Sequence, residues 1–224
     1  MSGEDGKACT VLSKQKQIGG EKMAVFPSKD WVEAVLEAAK KSEAYQEAAK
    51  DWEGDFLCIV EGDAEFLREL SRKEVMAGFI SLIDMIPAQD RMKYQGTPTG
   101  KVFEAIGIPL DVSLKDLNAD EVLSKVSKLS AGDVKGVSLY VWADFWHGAV
   151  RNMVPVAPGE HQDAAFKLSG TYSAWKLMVS GKQDTIRLIM SNKLQLQGNM
   201  AYMMKHMKAV VLLTKEVFAG VPID

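Results

Sequence analysis

The sequence predicts an α+β fold: a five-stranded, mostly antiparallel sheet covered by helices. Three observations predict it. Residues 138–146, SLYVWADFW, alternate strictly, with Leu139, Val141, Ala143 and Phe145 on one side and Tyr140, Trp142, Asp144 and Trp146 on the other. That is the period of two that a strand imposes. His147-Gly148 and the apolar run AVRNMVPV follow at once, so a tight turn returns the chain and the two strands run antiparallel. Apolar stripes at helical spacing lie before, within and after the strand-like runs.

The elements follow in order. Residues 1–24 are polar and aperiodic and are expected to form a disordered tail ahead of a single domain, 25–224. A helix is predicted over 28–50, capped by Ser28, with Trp31, Val35, Ala38, Tyr45, Ala49 and Trp52 in one stripe that packs on the sheet. Glu37 and Lys41 stand in the favourable i,i+4 order on its wet side. DFLCIVEGD, residues 55–63, reads as a strand buried on both faces and stopped at Gly62.

Residues 64–134, between the first two strands, read as largely helical with no strand pattern. Phe66, Leu67, Leu70, Met76, Phe79, Ile80 and Ile83 form a stripe up to Pro87; Gly96 to Gly100 read as a loop; Asn118 caps a helix over 120–129. The remaining strands are expected at 164–169 and 193–197. Thr171 to Ser180 is a short helix ended by Gly181, and Asp184 caps a second carrying Ile186, Ile189 and Met190. Asn199 caps a last helix running to about Phe218, with Met200, Met203, Met204, Met207, Val210 and Val211 in its stripe.

Composition narrows the function. The chain has 224 residues, 47% of them hydrophobic and 25% charged, enough for one domain that needs no disulfide or metal staple. The net charge, 27 − 30 = −3, gives no electrostatic reason to expect nucleic acid or an anionic membrane as the main partner. Two cysteines, Cys9 and Cys58, fit a reducing compartment, and no apolar run approaches a membrane span or a signal-peptide core; the cytoplasm is the expected location. There are 12 methionines, four of them between Met200 and Met207. Methionine adapts to irregular apolar shapes, which suits a pocket or a loosely specified core.

No catalytic constellation is legible, and no catalytic residue, metal or cofactor is expected. His147, His161 and His206 form no metal-ligand spacing. Asp144 and His147 are three apart on a strand and face opposite ways, His161 reads as a surface residue in a Pro-Gly loop, and His206 as solvated. Cys58 has no activating neighbour, and no Gly-rich segment ends as a phosphate loop does. Lys205, Lys208 and Lys215 read as a solvated helix face, with a pocket mouth as the alternative. The second strand's aromatic face, Tyr140, Trp142 and Trp146, needs a cover, and the helical stretch 64–134 is the natural candidate.

The block over 170–210 resembles the sterol carrier protein type 2 family. The features that carry it are the aromatic short helix ending in Ser180-Gly181, then Asp184 and Ile186, Met190, Asn192-Lys193-Leu194, and Leu196-Gln197-Gly198-Asn199 opening the last helix. SLYVWADFWHG resembles the family's central hairpin, with His-Gly where Asn-Gly is usual, and the resemblance extends over 23–62 and 137–218. It implies an apolar tunnel beneath the last helix, loaded with a fatty acid, fatty acyl-CoA, phospholipid or sterol, in a module that does no chemistry. The lining expected on this basis is Trp175, Met178, Ile186, Ile189, Met190, Leu196, Met200, Met203, Met204 and Met207; without the resemblance the same residues read as solid core. A soluble lipid carrier is therefore expected, its partners a long-chain lipid or acyl-CoA, with transient membrane contact and a protein partner through the insertion as further possibilities. The rival readings are an accessory subunit docked on a lipid- or acyl-CoA-metabolising enzyme, and an acyl-CoA hydrolase or transferase. The insertion at 63–136, where the family has a short connection, is the main departure.

Overall fold

The computed structural model describes residues 17–18, 21–22 and 24–223. Most of the tail expected over 1–24 lies outside the described residues. Within it, β1 (Gln17–Ile18) and β2 (Glu21–Lys22) pair antiparallel, and Ala24 bridges to Ile223 near the other end of the chain.

The main sheet has five strands: β3 (Glu53–Glu61), β4 (Ser138–Trp146), β5 (Ala149–Val156), β6 (Phe166–Thr171) and β7 (Leu194–Gly198). Their order is β5-β4-β3-β6-β7. β3 is central, antiparallel to β4 from Glu53↔Trp146 to Glu61↔Ser138 and parallel to β6 from Phe56↔Phe166 to Glu61↔Thr171. The other two pairs, β4–β5 and β6–β7, are antiparallel, so the α+β sheet is mixed with one parallel pair. The β4–β5 turn places His147 at φ 48° and Gly148 at φ 80°, the left-handed pair that a two-residue hairpin requires. A Cβ on Gly148 would also come within 2.5 Å of the Gln46 carbonyl oxygen.

The helix predicted over 28–50 is two helices, α1 (Lys29–Lys41) and α2 (Glu43–Ala48). Ser42 ends the first and caps the second, accepting from the Tyr45 N–H, while Gln46 Nε2 donates to the Ala39 and Lys40 carbonyls that α1 leaves open. Between β3 and β4 stand α3 (Ala64–Leu70), α4 (Lys73–Asp84), α5 (Ala88–Arg91), a 3₁₀ turn over Met92–Tyr94, α6 (Pro98–Ile106) and α7 (Ala119–Val126). The loop expected at Gly96 to Gly100 is in fact the start of α6: Thr97 caps it by accepting from the Gly100 N–H, and Pro98 takes the first turn. Gly100 is required because a Cβ there would lie 2.0 Å from the Tyr94 carbonyl oxygen.

These helices close one end of the sheet. Thr99 Oγ1 exchanges hydrogen bonds of 2.9 Å with the Ser138 backbone, and the Tyr94 hydroxyl donates to the Val156 carbonyl at 3.3 Å. They cover less of the aromatic face of β4 than the sequence suggests. Tyr140 meets Tyr94, but Trp142 is covered by His161 from the 157–165 loop, stacked at 4.2 Å, and Trp146 stays 38% exposed under Arg151. His161, expected at the surface, is thus half-buried.

The C-terminal third contains α8 (Tyr172–Val179), α9 (Thr185–Met190), α10 (Met200–Lys205) and α11 (Met207–Leu212), then a π-helical turn over Leu213–Phe218. The continuous last helix predicted from Asn199 breaks at His206. That residue, expected to be solvated, is buried, its ring 4.5 Å from Tyr202 and 5.4 Å from Trp52. The Tyr202 hydroxyl accepts from the Glu53 N–H at 2.7 Å, tying α10 to the start of the central strand.

Candidate functional site

The face of the sheet that points toward α1 and the C-terminal helices carries Phe56, Cys58 and Val60 from β3 and Val141, Ala143 and Phe145 from β4. Alternation along two paired strands places these six on one side. With Leu168 of β6 and Leu196 of β7 they form the floor of an apolar cavity of about 100 Å³. Its roof comes from both ends of the sequence: Trp31, Tyr45 and Trp52 from the N-terminal region, Trp175 and Met178 from α8, Met203 and Val210 from α10 and α11. Among the described residues, no charged side chain reaches the wall.

The polar groups of the wall are few and mostly committed. Thr185 and Thr214 share a buried hydrogen bond of 2.7 Å, and Thr214 Oγ1 donates on to the Val210 carbonyl at 3.1 Å. Trp175 Nε1 donates to the Ile59 carbonyl and Trp52 Nε1 to the Gly54 carbonyl, each at 3.0 Å. Burial pushes the Cys58 thiol up to about 12 and raises the Tyr45 phenol, so both stay neutral at ordinary pH. Such a surface can desolvate an apolar molecule.

Of the ten residues the sequence singles out, Trp175, Met178, Ile189, Leu196 and Met203 stand on this wall. Ile186, Met190, Met200, Met204 and Met207 do not line it. Met190 is 81% exposed, Met204 50% and Met200 46%. In α10, which ends at His206, a helix of six residues turns only one narrow stripe inward, and Met203 takes it, leaving Met200 and Met204 outside. Sequence reasoning missed the N-terminal contribution. The stripe of Trp31, Tyr45, Ala49 and Trp52 is legible, but it faces the cavity instead of packing solidly against the sheet.

The histidines do not converge on the cavity or on one another. His147 Nε2 pairs with Glu53 at 2.8 Å, while Asp144 is held by Arg151 through two bonds of 2.8 Å. No group of three metal-ligating side chains occurs among the described residues, and among them no helix is long and apolar enough to cross a membrane. A roomier space of about 380 Å³ lies between α3 and α8, but it is an open groove lined by Arg68, Lys176 and Lys182, of which Lys176 is engaged by Glu69 at 2.9 Å and Glu65 at 3.6 Å.

Fold and site together define a class: an α+β domain that encloses an apolar cavity. The model of the SCP-2 sterol transfer family matches residues 110–211, which bears out the resemblance read from the C-terminal block. No curated protein matches the sequence significantly. Among solved structures, the chain is similar to a conserved hypothetical protein, possibly sterol carrier protein, from Thermus Thermophilus, at 20% identity and a TM-score of 0.51. That likeness covers 92% of this chain and 95% of the other, and it shows the fold. A crystal structure of sterol carrier protein 2 is similar at 20% identity and a TM-score of 0.48, over 85% of this chain and 94% of that one.

Proposed function

We propose that the protein is a non-catalytic lipid carrier that takes a long apolar ligand into the cavity above β3 and β4. The observation that carries this reading is a wall built from distant parts of the chain with no charged side chain, in a fold whose segment 110–211 matches a sterol transfer family. Each buried methylene contributes roughly 0.8 kcal/mol, so a chain of fatty-acid length supplies enough for a reversible complex after the costs of association.

The cavity volume, about 100 Å³, is below the roughly 300 Å³ at which small-molecule sites begin. Uptake of a long chain therefore requires the roof to move. The roof over the β7 side consists of α9, α10 and α11, each six residues long and separated by breaks, so these are the elements expected to shift. Their outer surface supports the companion reading of transient membrane contact. Residues 185–215 contain Arg187, Lys193, Lys205, Lys208 and Lys215 and no carboxylate, in a chain of net charge −3. The exposed Met190, Met200 and Met204 belong to the same segment. Cations beside exposed apolar side chains suit an anionic bilayer surface.

The test is organic extraction of the purified protein with lipid mass spectrometry, followed by titration with fatty acids, fatty alcohols and acyl-CoA. Stoichiometric uptake that Ala143→Leu blocks, in a variant that stays folded, supports the reading; the added carbons fill the cavity floor. Uptake unaffected by that substitution places the ligand elsewhere. Failure of the intact protein to take up any of these ligands overturns the carrier reading.

A further inference from the structure

The two edges of the sheet differ. β5, at one end of the strand order, is guarded. Pro155 lacks the N–H that an added strand would use, Arg151 places a charge on the strand, and the pairing with β4 shifts register between Asp144 and Phe145. Prolines, charges and bulges are the means by which proteins keep a sheet edge from pairing. β7, at the other end, has none of them. Its sequence, LQLQG, contains no charge and no proline, and its register with β6 is unbroken from Leu194 to Gly198. Among the described residues β7 pairs with β6 alone. Alternate N–H and C=O groups of such a strand point away from the sheet.

The surroundings of this edge say what it suits. Gln195, Gln197 and Gly198 are exposed, and Leu196 is only half-buried although it stands on the cavity floor. The apolar layer of the sheet therefore ends here incompletely covered. Exposed Met190 precedes β7, and exposed Met200 and Met204 follow it. Exposed Lys193 adjoins the first residue of the strand, and the five cations within 185–215 meet no carboxylate in that segment. A second copy of this chain would bring the same cations to the same edge and be repelled. A bilayer surface would engage the lysines and methionines but offers no regular row of donors and acceptors to a strand's backbone. An extended polypeptide offers that row.

We propose that β7 is a docking edge for an extended acidic segment of another protein, which adds to the sheet as a further strand. Main-chain hydrogen bonds to β7 hold the segment in place. Its carboxylates meet Lys193 and the neighbouring cations, and its apolar side chains, at alternate positions, lie beside Leu196. The docked strand continues the cavity floor on its open side. The inference stands on the sheet edge and its charge, and does not depend on what the cavity holds.

The probe is a blocked heptapeptide that alternates glutamate and valine, added to the full ¹⁵N-labelled chain. Binding should shift the amide resonances of Leu194 to Gly198 and slow hydrogen exchange at the outward-facing ones, with β5 unchanged. Replacing the glutamates by lysine should weaken binding about tenfold, and Lys193→Glu in the protein about fivefold. Should that variant not fold, a loss of affinity at raised ionic strength reads the same charge. N-methylation of the peptide's valines or of its glutamates, whichever set faces β7, should abolish binding, and methylation of the other set should spare it. No binding at about 1 mM peptide, equal binding of the lysine peptide, indifference to both N-methylations, or shifts confined to other strands overturns the inference. So does self-association that protects β7 without peptide binding, which gives the edge to a second copy. Protection of β7 by phosphatidylglycerol vesicles without peptide binding gives it to a bilayer and overturns the inference as well.

Discussion

Asp63 and Ser173 are 110 residues apart, and the Asp63 carboxylate caps a helix at each position. Oδ1 accepts from the Phe66 N–H at 2.9 Å at the start of α3, and Oδ2 accepts from the Ser173 N–H at 3.0 Å and from its hydroxyl at the start of α8. One side chain thus fixes the point where the chain leaves β3 to the point where it leaves β6, the two parallel strands at the centre of the sheet. Two helix N-termini facing one carboxylate favour its negative charge.

Asp63 should make the fold acid-sensitive. Desolvation raises its pKa, but the hydrogen bonds from Ser173, Phe66 and Thr171 outweigh this and hold the carboxyl below its ordinary value of 3.8. A carboxyl depressed in the folded state contributes stability that is present above the unfolded value and is lost as pH falls through the folded one. Asp63→Ala should cost about 2–4 kcal/mol at neutral pH, as two caps are removed at once. Urea denaturation at pH 7 and at pH 3 checks this: the difference between wild type and variant should shrink at the lower pH.

The Thr185–Thr214 pair predicts non-additive substitutions. Thr214→Val removes the partner of a buried hydroxyl and should cost about 1–3 kcal/mol, since Thr185 Oγ1 is left without its bond. Changing both threonines to valine should cost less than the sum of the single changes, because no unsatisfied hydroxyl remains. A double-mutant cycle by thermal or chemical denaturation measures the coupling.

Cys58 should resist alkylation. Its thiol is pushed up to about 12 from 9.0 by burial, which lowers the thiolate fraction near pH 8 by about a thousandfold relative to an unfolded chain. In Cys9→Ser protein, iodoacetamide should label the remaining cysteine slowly when folded and readily in denaturant. The same shift makes stability fall as pH rises from about 9 toward 12, since the unfolded thiol ionises first.

Met203 and Met204 should behave oppositely. Met203 is buried on the cavity wall and Met204 faces outward, although both belong to one apolar stripe in the sequence. Met203→Glu should place an unpaired charge in an apolar site and abolish ligand uptake together with several kcal/mol of stability. Met204→Glu should leave both near wild type, within about 0.5 kcal/mol in stability. Melting temperatures and lipid titration of the two variants check the contrast.

Much of this protein was legible before its structure. The alternation over 138–146, the His147-Gly148 turn and the caps at Ser28, Asn118, Asp184 and Asn199 are determined by residues close in sequence, because side-chain period and capping geometry are local properties. The family likeness of the C-terminal block was legible for the same reason: it is a run of such local signals. Only the tertiary structure decided the parallel pairing of β3 with β6, the start of α6 at a Pro-Gly segment, and the breaks at Ser42 and His206. It also decided which apolar faces enclose space and which stay wet, joining Trp31 and Tyr45 to the cavity and leaving Met190, Met200 and Met204 outside. A hydrophobic stripe states that a face is to be buried; what it is buried against depends on elements more than a hundred residues away, and no local period records that distance.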